Sequence, residues 1–338
     1  MKRAIGLAVF LMAGAMIASA VPVDITYSEG DTTLKLKSGK QQDAQIGDVM
    51  NTGDTLKTGK DGQAELNQKG VIIKISHGTV FTLMEKSQAG QTSTVMSVAL
   101  GSIKFKYDKM SGSEPQVRTN GAVAGVRGTE FTVFSGADGS SLFTVDSGRV
   151  TVESEGKVVD LVADEGVEVP LGQPPGEKIQ IQSNQIDYSK WNDDKLTAML
   201  VDPVAALANM GIAMDGYVKA VEENSAGLDE SSKRLASERE KRRQIGELEG
   251  KDAAAKYEAD VITPLAVTTG YYFLNLRYNA LAALSLRRFV VGRLYLFLKT
   301  RSMTSPESGP WNEYATKYNE LLKKFELSIT PHLVDNDI

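Results

Sequence analysis

Ala124-Gly125-Val126-Arg127-Gly128-Thr129-Glu130-Phe131, preceded by Val117-Arg118-Thr119-Asn120-Gly121, is the stretch on which the reading of this chain turns. Gly125 and Gly128 allow backbone angles or close approaches that a side chain would block. Arg127 and Glu130 are spaced to pair or to cap a turn, and Phe131 and Val133 open an apolar alternation that reads as a buried strand. Gly-rich as it is, the stretch is not a phosphate loop: no Lys-Ser/Thr follows, and no helical pattern opens after it.

On either side the same grammar continues from Val21 to about Ile181. Short period-two runs recur, among them Val71 to Ile75, Val80 to Leu83, Ile103 to Phe105, Thr129 to Phe134 and Val158 to Leu161. Turns such as Lys60-Asp61-Gly62 and Gly136-Ala137-Asp138-Gly139 separate them. Such runs between turn residues predict an all-β domain. Gly30, Gly53, Gly78, Gly101, Gly125 and Gly148 fall at gaps close to 23 residues. A fixed period of that length predicts a β-solenoid-like stack of coils; the alternative is a sandwich or barrel.

Pro170 to Gly176 reads as a linker, because its prolines cannot donate to a sheet ladder. Beyond it the periodicity becomes helical. A first helix is predicted from Asp187 to Leu200, with Trp191, Leu196 and Leu200 on one side. A second starts at Asp202-Pro203, an acidic cap followed by proline in the first turn. Residues 229–258 are highly charged, with a narrow stripe of Leu228, Leu235, Ile245 and Leu248, and predict an exposed coiled-coil-like arm. Val261 to Leu298 is the most apolar part after the N-terminus. Arg277, Arg287, Arg288 and Arg293 argue against a membrane span there. Arg277, Arg288 and Lys299 recur at eleven-residue intervals and so lie within about 40° of one another on a helix. The prediction is a core helix with one wet stripe. Ser305 to Pro310 reads as a loop, and Trp311 to Phe325 as a last amphipathic helix. The fold class expected is α+β multidomain: an all-β domain over residues 21–181, then an all-α domain over 182–338.

The N-terminus carries a basic start at Lys2-Arg3, an apolar run from Ala4 to Ile17 and the small residues Ala18-Ser19-Ala20. This is the pattern of a secretory signal peptide over residues 1–20. The expected destination is the periplasm, with the cell surface as the alternative. The chain holds no cysteine, two histidines and a net charge of −5. Disulfides, thiolate metal sites and a cysteine nucleophile are thereby excluded, and a nucleic-acid partner is not expected. His77 and His332 stand alone, so no histidine metal site or catalytic triad is expected. Asp160, Asp164, Glu165 and Glu168 form the densest carboxylate group, read as turn solvation rather than a glycosidase pair. No catalytic residue, metal or cofactor is predicted.

The sequence resembles the FecR domain family. The resemblance rests on Val126-Arg127-Gly128-Thr129-Glu130-Phe131, on Val145-Asp146-Ser147-Gly148-Arg149-Val150, on Thr52-Gly53-Asp54-Thr55-Leu56-Lys57-Thr58-Gly59 and on Ala163-Asp164-Glu165-Gly166-Val167. Together they cover roughly residues 28–170. For members of the iron-citrate regulator type, the resemblance implies an inner-membrane protein whose cytoplasmic segment acts on a sigma factor. Here the domain follows directly on the signal peptide, so a stand-alone exported module is expected instead. The predicted function is non-catalytic binding or scaffolding, directed at an envelope protein or cell-wall glycan, with assembly through the helical domain. A periplasmic sensor module is the first alternative and a glycan-active enzyme the second. Within the motif, Val126, Arg127, Gly128, Thr129, Glu130 and Phe131 are candidates for a structural or partner-binding role.

Overall fold

A computed structural model describes residues 21–88, 91–107, 116–304 and 311–333. The predicted signal peptide, residues 1–20, and the predicted loop at residues 305–310 lie outside the described residues. The strands in chain order are β1 (Val23–Glu29), β2 (Thr32–Lys35), β3 (Gln41–Asp43), β4 (Val49–Met50), β5 (Thr55–Thr58), β6 (Gln63–Gln68), β7 (Val71–Ile75) and β8 (Val80–Gln88). They continue with β9 (Gln91–Tyr107), β10 (Gln116–Arg118), β11 (Val123–Ser135), β12 (Ser141–Ser154), β13 (Lys157–Val162), β14 (Glu165–Val169) and β15 (Lys178–Gln180).

These form one fifteen-stranded sheet folded onto itself. Three long strands make the fold. The first part of β9 pairs with β8 and β10, and its second part, from Gly101, pairs with β7 and β11. In the same way β11 and β12 each run through both layers, with register shifts between Arg127 and Phe131. The inward faces of both layers fill one core: Leu34, Leu56, Phe81 and Val126 from one, Ile25, Ile73, Phe105 and Phe131 from the other. Alternate residues of most strands point into this core, which closes the sheet like a barrel; β3 and β15 stay at the surface.

The solenoid-like stack is therefore corrected to a bent, mainly antiparallel double layer, close to the sandwich alternative. Among the described residues only β9 and β10 pair in parallel. The glycine period is nevertheless physical, because it marks where strands turn from one layer to the next. Gly59 donates to the Asp31 carbonyl at 2.7 Å, and Gly78 donates to the Gly59 carbonyl at 2.9 Å. Gly101 has φ +106°, and a Cβ there would lie 2.4 Å from Thr79 Cα. Gly148 has φ +83°, and its Cβ would lie 2.5 Å from the Gly128 carbonyl oxygen. At Gly101 and Gly148 the bends stack so closely that a side chain has no room, whereas a Cβ at Gly78 or Gly125 would meet nothing within 4 Å.

The helices are α1 (Tyr188–Val201), α2 (Pro203–Leu248), α3 (Lys251–Tyr257), α4 (Thr263–Leu286), α5 (Gly292–Thr304) and α6 (Trp311–Ser328). Both predicted starts are capped by carboxylates: Asp187 accepts from the Lys190 amide, and Asp202 from the Ala205 amide. The 46 residues of α2 span about 69 Å at 1.5 Å per residue. At Gly250, φ +95°, the chain reverses. It returns as α3, a π turn at Glu258–Ile262, α4, a second π turn at Arg287–Val291, and α5. The outer end of this hairpin is held by an ion pair, Arg242 with Glu258 at 2.5 Å, and by a hydrogen bond that the Tyr257 hydroxyl donates to Glu238 at 2.5 Å. Along the predicted stripe, Leu235 is buried and Leu248, at the tip, is exposed. Further in, the apolar run packs as α4 between α2 and β8, with Leu276, Ala280, Ala283 and Leu284 buried. Among the described residues no single helix is long and apolar enough to cross a membrane. The pair α1 and α2 passes that test together but is bent by 106°.

Candidate functional site

The motif sits on the bend of β11. Val126 and Phe131 enter the core, and the Phe131 ring stacks on Phe105 at 5.0 Å. The Arg127 backbone stands opposite Arg149. Gly128 takes φ +56°. Thr129 is buried, and its hydroxyl donates to the Arg149 carbonyl at 2.9 Å while accepting from the Arg149 amide at 3.3 Å. Glu130 points outward and pairs with Lys104 at 2.7 Å; Lys104 also holds Asp146 at 3.0 Å. Burial works against the Lys104 charge, but these two carboxylates outweigh it and raise its pKa. Val126, Thr129, Glu130 and Phe131 thus lock one layer to the next.

The carboxylate group of the sequence does not converge. Asp160 bonds Thr151, Asp164 bonds Gln182, Glu165 pairs with Lys178, and Glu168 with Lys195. Among the described residues no three histidine or acidic groups are placed to hold a metal ion.

A different arrangement lies at the seam between sheet and helices. Arg118 ends β10, in the lead-in to the motif, and is only 5% exposed. Its guanidinium lies between two rings, 4.9 Å from Tyr217 of α2 and 4.9 Å from Tyr278 of α4. Nη2 donates to the Tyr217 hydroxyl. That hydroxyl in turn donates to the Asn120 carbonyl at 2.8 Å, and the Asn120 amide holds the Ala99 carbonyl at 2.8 Å. Asn275 of α4 accepts from the Ser87 amide at 3.2 Å. One strand, one turn and two helices therefore meet on Arg118.

A cavity of about 520 Å³ opens beside it, lined among others by Lys86, Gln116, Glu153 and Asn279. Arg118 and Gln116 also line it, and Arg118 Nη1 and Gln116 Oε1 are buried without a hydrogen-bond partner among the described residues. Arginine stays charged in a protein, and an unpaired buried donor or acceptor costs about 1–3 kcal/mol. Burial and the neighbouring Arg118 charge lower the pKa of Lys86. Chemically, the cavity offers a polar occupant the Lys86 ammonium, the Glu153 carboxylate and the Asn279 amide. Arg118 was in view in the sequence as a charge inside the Val117 alternation. Its tyrosine partners stand about a hundred or more residues downstream, and nothing in the local pattern connects them.

Comparison with known families places this geometry. The model of the FecR protein family matches residues 54–151, from the loop before β5 to the second half of β12. The match contains the motif, the Gly148 bend and Arg118, so this segment of the chain is a FecR-family domain. A comparison with characterised proteins found no match. Two crystal structures of a candidate anti-sigma factor from Parabacteroides distasonis, at 1.65 and 2.50 Å resolution, are similar at 18% and 19% identity, each with a TM-score of 0.33. The similarity covers 38% and 43% of this chain and 61% and 63% of those chains, so this chain spans less than two thirds of either.

Proposed function

We propose that the protein is a non-catalytic, extracytoplasmic binding module that engages an envelope protein or cell-wall glycan through its FecR-like domain. The observation that carries this reading is the seam: Arg118 and Gln116, each with a buried polar atom that lacks a partner among the described residues, border a cavity where sheet and helices meet. The carboxylates, each tied to a separate partner, support binding over hydrolysis. The helical hairpin gives the module reach, since the contacts at its outer end, Arg242 with Glu258 and Tyr257 with Glu238, lie within the hairpin itself.

The test is crosslinking in intact cells followed by fractionation, with a photoreactive residue at Asn279 on the cavity wall. The expected result is an adduct with an envelope component that Arg118→Gln diminishes. Recovery of the protein in the cytoplasm, or an adduct indifferent to Arg118→Gln, would overturn the reading. The FecR-family segment favours a second reading, a sensor module in envelope signalling. That reading expects deletion of the gene to abolish a transcriptional response, and fails if transcription is unchanged.

A further inference from the structure

We propose that the cleft between β2, β5 and α4 is a binding site for a phosphate group. The register sets the cationic face. Leu34 and Leu56 are buried and opposite each other on β2 and β5, so Lys35 and Lys57, one residue further along each strand, point out of the core on the same face. Lys37 follows on the loop. From the other side α4 and the π turn after it bring Leu284, Ser285, Arg288 and Phe289. The enclosed volume is about 290 Å³.

Four cationic side chains, Lys35, Lys37, Lys57 and Arg288, line this space, and no carboxylate does among the described lining residues. Their gathering is local, because the chain as a whole carries a net charge of −5. Asp54, next to Thr55, is buried and already occupied, accepting from the Lys37 and Asn51 amides at 2.7 and 2.8 Å. Between the cations the floor is hydroxylic. Thr55 and Thr82 hydrogen-bond each other at 2.9 Å, and Ser97 stands opposite Thr82 on β9. The Lys57 ammonium sits 5.7 Å from the Phe289 ring, which fixes it over the cleft. Desolvation first, then repulsion from Lys35 and Arg288, lowers the Lys57 pKa, the mark of like charges held close.

Lysine point charges with hydroxyl donors suit a compact, multiply charged oxyanion, and a guanidinium adds a fork for two of its oxygens. Phosphate carries the charge that several cations together can neutralise. Because α4 forms one wall, an occupant would tie the helices to the sheet. This goes beyond the binding-module reading, which concerns the Arg118 seam, and either can fail without the other.

The test is calorimetric titration of the full chain with inorganic pyrophosphate at low ionic strength. Saturable one-to-one binding is expected, weakened about tenfold or more, about 1.4 kcal/mol, in Lys35→Gln/Lys57→Gln and unchanged in Lys60→Gln outside the cleft. Amide NMR shifts of the wild-type chain should centre on Lys35, Thr55, Thr82 and Ser285, which decides the matter even if the double variant folds poorly. A parallel arm uses phosphatidylglycerol vesicles. Pyrophosphate binding with or without vesicle binding supports the site and separates a free phosphate from a lipid headgroup. No pyrophosphate binding, shifts centred elsewhere, or a double variant equal to wild type overturns it.

Discussion

Alanine at Gly148 is expected to damage the β region far more than alanine at Gly128, although the two glycines meet at one bend. Both have positive φ, +83° and +56°, and a left-handed backbone costs a side chain about 1–2 kcal/mol. They differ in the space around them. A Cβ at Gly128 meets nothing within 4 Å, whereas one at Gly148 lies 2.5 Å from the Gly128 oxygen and 3.0 Å from Thr129 Cα. These are backbone atoms, held by the double hydrogen bond of Thr129 to Arg149. Relieving such overpacking costs about 1–3 kcal/mol more. Gly128→Ala should therefore lose about 1 kcal/mol and Gly148→Ala about 3 kcal/mol. Urea unfolding followed by circular dichroism and by Trp191 fluorescence is the assay, since Trp191 packs on Phe134 of β11. The midpoints should separate with equal slopes, and the melting temperatures should differ by about 4–8 °C. Equal losses in the two variants would refute the stacked bend as the source of the glycine spacing.

Asp54→Ala should cost about 2–4 kcal/mol, because it strips the acceptor from two backbone amides; hydrogen exchange at Lys37 and Asn51 should accelerate, and unchanged protection would count against this. Lys104 has a raised folded pKa, so its ion pairs stabilise fully below the unfolded lysine pKa, about 10.4, and are lost as pH rises through the folded value. The stability gap between wild type and Lys104→Met should thus be flat at neutral pH and close only at strongly alkaline pH; a gap that persists there is the contrary result. Gly227→Ala should destabilise the hairpin even though alanine is the better helix former by about 1 kcal/mol, since its Cβ would lie 2.4 Å from the Tyr272 ring. In a Tyr272→Ala background the same change should become stabilising, and a cycle without that reversal would show that the contact is soft.

The division into strands and helices was legible because each half keeps its own period, and the caps at Asp187 and Asp202 could be read from residue types alone. The glycine spacing was also real, but spacing cannot tell a coil that continues in parallel from a strand that bends and returns. Pairing direction is decided by β9, β11 and β12, whose length lets each serve two layers. The motif's corner role followed from Gly128, Phe131 and their neighbours, whereas Arg118 and the lysine cleft did not. Each of those sites joins the sheet to α4 or α2 across long stretches of chain, and local patterns carry no information about that meeting. Lys35 and Lys57 stand next to Leu34 and Leu56 in the sequence, but without α4 above them nothing distinguishes them from an ordinary solvated face.

The two π turns have a consequence for how this protein can vary. From Lys251 to Thr304 the chain is one uninterrupted helix, yet α3 packs on α2, α4 on α2 and β8 together, and α5 on α6 through Tyr295 and Tyr318 at 4.2 Å. Each π turn carries one residue more than an α turn, which advances the facing side by about 100°. The turns at Glu258–Ile262 and Arg287–Val291 act as phase resets that let a single rod address successive neighbours. Loss of one residue from either would leave the helix intact and rotate everything beyond it out of register. Between the resets the spacing is therefore fixed by geometry, while the composition of the arm outside them is free to drift.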